Sequence, residues 1–215
     1  MLASALGRRR GQPIDDLTAL HMTVRTDRPG VLLRDLHTVG GGLPGKATVT
    51  IALTTPQDTS ENRLLLDRCA KALRTPRWPL HLGRRSCPPE GPLLLGQSDD
   101  ALHHLIHLPL AAQPPKTLAA GSTPVEFLAD RPLTFLPAPT HTISETHEDG
   151  THASGELNDQ PVNYHPSQRA YLARPLYRRT LLLPRAQFAG LGAQQLTALG
   201  RYLDTRLHTT EGSRR

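Results

Sequence analysis

Apolar positions recur along the chain at two spacings, and each spacing predicts a different element. From Glu61 to Leu73 the residues Leu65, Cys69, Ala72 and Leu73 fall three and four apart, on one face of a helix. Ser60 is the expected N-cap and Pro76 the stop. A second stripe, Leu196, Leu199, Leu203 and Leu207, predicts a closing helix near residues 193–207. Asp99 to Leu110 predicts a short helix. The Ala-rich start predicts another that Gly7 ends, followed by a short one after Pro13, with Asp15 or Asp16 as cap.

Period-two alternation predicts strands instead. His21–Arg25 alternates, as does Ala47–Thr54 through Val49, Ile51 and Leu53. Residues 31–39 and 175–184 also read as extended, whereas Asp27-Arg-Pro-Gly30 reads as a turn. Residues 137–168 hold Thr, His, Pro and acids with almost no large apolar groups, which predicts a flexible acidic loop. The fold class is therefore α+β, without a visible repeat. Its expected divisions are a core over 1–98, a connecting segment over 99–136, the loop over 137–168, and a closing strand and helix over 169–215.

Composition narrows the class. At 215 residues and 37% apolar content the chain can bury a real core. Its Leu runs reach three residues, far short of the ~18 apolar residues of a membrane span. The start is too short for a signal segment, and Arg8, Arg9 and Arg10 follow it instead of preceding it, so a soluble, cytoplasmic protein is expected. Cys69 and Cys87 cannot build a disulfide framework or a four-ligand zinc site.

Charge changes the picture more. The net charge is +6, and Lys46, Lys71 and Lys116 are the only lysines among 25 basic residues. Arginine's planar fork matches phosphate, so the bias suits nucleic acid, while a GC-rich genome would favour arginine regardless of function. Residues 1–98 and 169–215 are basic and the His-rich middle is acidic, a distribution that suits one polyanion-binding face built from the two ends.

Few motifs suggest catalysis. Gly40 to Gly45 with Lys46 imitates a phosphate-binding loop, but Ala47 stands where a hydroxyl should hold magnesium, and a strand pattern follows where a helix should begin. His103 and His107 share a helix face without a third ligand, so no metal site is expected. No Gly-x-Ser-x-Gly elbow occurs, and neither cysteine has a nearby His–acid pair. The sharpest local signal is Leu82-Gly-Arg-Arg-Ser-Cys-Pro-Pro89. Adjacent arginines on a backbone bounded by glycine and two prolines belong to a shaped loop, which could present Arg84, Arg85 and Ser86 to phosphate or pair an arginine with an internal carboxylate.

This loop, following Arg77-Trp78, resembles the signature of the CasD family, the CRISPR-associated RAMP subunits of type I-E Cascade. Leu-Ala-Ser-Ala-Leu-Gly7, Thr-Val-Arg-Thr-Asp-Arg-Pro-Gly30 and Leu-Leu-Arg-Asp-Leu-His-Thr-Val39 resemble the family's stretches in the family's order. Arg-Pro-Leu-Tyr-Arg-Arg179 looks like its late strand. Family members usually begin with a strand carrying Gly-Pro-x-Gln-Ser-Trp-Gly and a Pro-Thr-x-Ser-Gly lead-in, and they carry a longer insertion before the helix at Glu61. This chain starts after the first two and keeps only residues 40–54 of the third, which leaves a mis-assigned start, a degenerate copy or a minimal variant open.

The resemblance implies a ferredoxin-like (RRM-related) core and a non-catalytic, cofactor-free subunit of a surveillance complex. It further implies binding of the five-prime repeat-derived handle of the CRISPR RNA, with the other Cascade subunits as partners, target DNA met indirectly, and no membrane. The expected RNA-binding residues are Arg84, Arg85, Ser86, Arg34, His37, Arg28, Lys46 and Arg178. With no aromatic residue before Trp78, contact through backbone and splayed bases is expected over base stacking. The rival reading is a metal-independent endoribonuclease using His37 with Tyr177 or Lys46 as acid and base. A third is a remnant without function.

Overall fold

A computed structural model of the protein describes residues 1–30, 47–82, 87–114, 121–137, 150–163 and 170–212. Its centre is a five-stranded antiparallel sheet of β1 (His21–Arg28), β2 (Thr48–Thr54), β3 (Ser122–Ala129), β4 (Gly155–Asn163) and β5 (Ala170–Pro184), in the order β2-β1-β3-β5-β4. Val24 stands opposite Ile51 on one side and Leu128 on the other. β5 is shared along its length. Its second half, Tyr177–Pro184, pairs with β3, and its first half, Ala170–Leu176, pairs with β4.

Alternation gives the sheet one covered face. Thr23, Arg25 and Asp27 of β1 are buried there with Ala52, Val125, Phe127, Ala129, Leu181 and Leu183. Helix α4, defined here as Ala101–His107, supplies Leu105 to this core, and Leu110, Leu133, Leu136 and Phe188 complete it. A satellite core lies apart: Leu20, Leu65 and Cys69 with Leu2, Leu6, Leu17 and Leu66 join α1 (Leu2–Ala5), α2 (Asp15–Thr18) and α3 (Ser60–Arg74). The closing helix α5 runs Ala193–Gly212. Leu199 of its predicted stripe is buried and Leu196 is half exposed, while the side chain of Leu207 lies outside the described residues.

Several elements match the sequence pattern closely. α3 occupies the predicted span, with its cap one residue earlier: the Thr59 hydroxyl accepts from the Asn62 N–H at 3.2 Å. α4 begins where Asp100 accepts from the His103 N–H at 2.9 Å. Neither acid caps α2, which starts from Ile14 with both Asp15 and Asp16 in its first turn.

Three expectations are corrected. The span 137–168, read as a flexible acidic loop, contains β4. Its Gly, Asn, Asp and Pro are depleted in strands, but an edge position tolerates Pro161, and Arg174 grips Asp159 from β5 at 2.6 and 2.8 Å. Residues 99–136, read as a connection, contain β3, the middle strand of the sheet. Pro124 hid it. The residues of β3 that pair with β1 are Glu126–Ala129, so the missing N–H of Pro124 lies outside that ladder. β1 thus carries the sheet across the division expected at residue 98. Finally, Asp27 and Arg28 belong to β1 and not to a turn, because Asp27 is held inward by Arg25. The extended stretch expected over 31–39 lies outside the described residues.

Candidate nucleic-acid interface

Because arginine carries the sequence argument, the first question is which arginines the fold consumes. Arg25 points into the covered face and is wholly buried. Its Nε donates to Asp27 at 2.6 Å, and its other nitrogens donate to the carbonyls of Leu105 and Leu108 at 2.7 Å and of Pro109 at 3.3 Å. These carbonyls end α4, where unsatisfied backbone acceptors gather, so Arg25 acts as an internal cap. Asp27 is also fully engaged. It accepts from the Thr50 hydroxyl at 3.1 Å and the Ala111 N–H at 2.9 Å.

Arg179 does similar work from β5. It donates to the carbonyls of Leu133 and Leu136, at 3.4 and 3.0 Å, and to that of Pro137. Arg131 donates to Thr54 at 3.1 Å and meets His21 at 3.0 Å. Arg8 grips Asp16 with both terminal nitrogens, and this contact holds the Asp16 carboxyl below its ordinary range. Arg174 does the same to Asp159. Arg25 and Arg179 are therefore spent on carbonyl ends inside the molecule and Arg8 and Arg174 on carboxylates nearer its surface, so the bias by itself overstates the surface open to a polyanion.

The predicted site residues fall in three places. Arg84, Arg85 and Ser86 lie outside the described residues, but the ends of their loop are held: the Leu82 N–H donates to the Cys87 carbonyl at 2.8 Å. The irregular approach to it is anchored by buried Leu80 and by Arg77, whose N–H donates to the Ala5 carbonyl at 2.9 Å. Gly7, at φ +76°, is required at that contact. A Cβ there would lie 2.7 Å from the Arg77 Cγ. The resemblance-bearing stretches at Gly7 and Arg77 thus form one packed junction.

Arg34, His37 and Lys46 also lie outside the described residues, in the β1–β2 connection. Its ends converge, since a Cβ on Gly30 would stand 3.0 Å from the Ala47 Cβ. Arg28 stands at the root of this connection, opposite Thr48 at an irregularity in the β1–β2 ladder, with its Nε buried and, among the described residues, without a hydrogen-bond partner. Arg178 projects from the face of the sheet opposite the buried one, half exposed and 3.1 Å from Glu126. The fold thus gathers Arg28 with the connection holding Arg34, His37 and Lys46. It places Arg178 elsewhere, on β5.

The residues weighed for other chemistry are placed as well. Tyr177 packs against the main core, on the face opposite Arg178. The His103 and His107 rings lie 4.3 Å apart, and Nδ1 of His104 meets the Tyr202 hydroxyl at 2.9 Å, tying α5 to α4. Among the described residues no three such side chains could hold a metal ion, and no helix is long and apolar enough to cross a membrane. Arg25 and Asp27, the pair that fixes α4 to the sheet, were not singled out from the sequence. Their place at alternate positions with Thr23 on a predicted strand was the available signal.

Comparison with known proteins bears directly on this arrangement. A family model described as CRISPR-associated protein (Cas_Cas5) matches residues 1–50 and 45–177. The two pieces overlap over residues 45–50, at the end of the β1–β2 connection and the start of β2, where the sequence pattern places a shortened insertion. A solved chain described as "CRISPR RNA-guided surveillance complex" is 28% identical, with a TM-score of 0.66, covering 94% of this chain and 84% of that one. A second, described as "Crystal structure of Cas protein", is 25% identical with a TM-score of 0.49, covering 89% and 80%. Among curated proteins none matches. The α+β architecture is that of the ferredoxin-like RAMP fold, and with the family model spanning most of its length, the chain belongs to the CRISPR-associated Cas5 family.

Proposed function

We propose that the protein is the CasD-type subunit of a type I-E CRISPR surveillance complex and holds the five-prime handle of the CRISPR RNA without cutting it. The observation that carries this reading is the likeness, over 94% of the chain, to a chain of an RNA-guided surveillance complex. The Arg84–Arg85–Ser86 loop supports it: with Leu82 and Cys87 tied, adjacent arginines lose less freedom on meeting phosphate. The β1–β2 connection, rooted at Arg28, is the second contact region. Its partners are the CRISPR RNA and the other subunits of the complex, and target DNA is met only through them. The protein works in the cytoplasm and needs no metal or cofactor.

The test uses the full chain with repeat RNA, and with the remaining subunits of the complex. It should co-purify with them and bind the handle in a salt-dependent way. The RNA should remain intact with and without magnesium. Handle-length products would replace this reading with an endoribonuclease, and failure to bind RNA or to assemble would leave a remnant.

A further inference from the structure

The two edges of the sheet are built differently. β4, at one edge, carries Glu156, Asp159 and Pro161, and its ladder to β5 is irregular at two places. Charge, proline and bulges are the devices that keep an edge strand from recruiting another strand. β2, at the other edge, has neither charge nor proline, and the one irregularity of its ladder, where Arg28 faces Thr48, lies in β1. Thr48-Val-Thr-Ile-Ala-Leu-Thr54 is uncharged and proline-free, and it pairs regularly with β1 from Val49 to Thr54. Among the described residues no strand lies on its outer side. Val49 and Ile51 remain 47% and 46% exposed.

β2 also reads nearly the same from both ends. About Ile51, Val49 and Leu53 are equidistant, Thr50 and Ala52 flank it, and Thr48 and Thr54 close the segment. An antiparallel pairing of two such strands about a two-fold axis at Ile51 sets Val49 of each copy opposite Leu53 of the other. Thr50 then faces Ala52, and Thr48 faces Thr54. Branched aliphatics meet on one face and small residues on the other, which is how cross-strand pairs stabilise a sheet.

We propose that the outer edge of β2 is a dimerisation edge, at which two copies of this chain pair antiparallel about Ile51 and join their sheets. The in-register row Leu128–Val24–Ile51 on the uncovered face then continues into the same row of the second copy. The interface is isologous, as a two-fold requires. A seven-residue strand is only about 24 Å long, a strip at the small end of specific interfaces, so the dimer dissociates in the micromolar range. Each copy carries +6, and β2 itself bears no charge. Salt therefore strengthens this association by screening repulsion, the opposite of its effect on RNA binding. The proposal uses no RNA contact and stands apart from the function proposed above.

Sedimentation of the full, nucleic-acid-free chain across the micromolar range tests it. The average mass should rise from one chain toward two with concentration, and further with salt. Ile51→Lys sets two lysines against each other at the axis and should hold the protein at the mass of one chain, with its circular dichroism and thermal midpoint unchanged. Val49→Lys should weaken the dimer, and adding Leu53→Glu should restore it, because each introduced lysine then faces the glutamate of the other copy. Within one copy the two positions are too far apart to pair. A single-chain mass at every concentration and salt overturns the proposal in favour of a strand from a different protein. So does a dimer that Ile51→Lys leaves intact, or a folded double variant that stays monomeric.

Discussion

The guanidinium of Arg25 and the carboxylate of Asp27, two residues apart on the same face of β1, meet at 2.6 Å with both side chains wholly buried. Each has further partners, Arg25 at the end of α4 and Asp27 at Thr50 and Ala111. Two charges taken from water are tolerable only when every lone pair and proton is used in this way. The pair therefore serves as the joint between the sheet and α4, and both residues are withdrawn from any ligand.

Removing one member should be far more damaging than a surface change. Asp27→Ala leaves a buried guanidinium without its counter-charge and should lower the unfolding free energy by ~3–5 kcal/mol in denaturant titration. A loss below about 1 kcal/mol, the range of exposed pairs, would mean that water reaches this site.

Acid should weaken the fold through Asp16 and Asp159. Hydrogen bonds from Arg8 and Arg174 lower both carboxyl pKa values in the folded state from the ordinary 3.8. The stability they contribute is complete above that value and is lost as pH falls below it toward the folded values. Both carboxylates are partly exposed, so each contribution is about 0.2–1 kcal/mol. Asp16→Asn should lower the urea midpoint at neutral pH and flatten its decline below pH ~4. A variant curve parallel to that of the wild type would discredit the linkage.

The two cysteines should react in sequence. Cys69 is buried in the satellite core, and burial pushes its thiol above the ordinary value, whereas Cys87 is exposed. Iodoacetamide near pH 8 should modify Cys87 first and reach Cys69 only on unfolding. Equal labelling of the folded protein, read by mass spectrometry, would show that α1 and α3 do not stay closed over Cys69.

In the loop proposed to bind RNA, Arg84→Ala or Arg85→Ala should weaken handle binding by ~1–3 kcal/mol, the scale of a charge-assisted contact. The salt slope should fall by about one. The loop is structural instead if both variants keep wild-type affinity and slope. Arg179→Ala serves as the contrasting case, because its guanidinium caps the carbonyls of Leu133, Leu136 and Pro137 and its loss should appear in stability.

Local periodicity sufficed for α3, α4, β2 and most of β1, because one buried face imposes its spacing on the residues that line it. The family resemblance was legible for a related reason. Gly7, at φ +76°, lies so close to the Arg77 side chain that an added Cβ would stand 2.7 Å from its Cγ, which constrains both stretches. β3 and β4 were decided by their neighbours. Val125, Phe127 and Ala129 alternate over too short a span to outweigh Pro124, and the polar β4 is a strand only because β5 offers its backbone and Arg174 its charge. The roles of the arginines divide in the same way. Arg84 and Arg85 stand out in the sequence because glycine and proline bound them. That Arg25 and Arg179 are inward caps follows from carbonyl groups 80 and 43 residues distant, since a guanidinium can be assigned to solvent, phosphate or backbone only when the acceptors the fold brings to it are known.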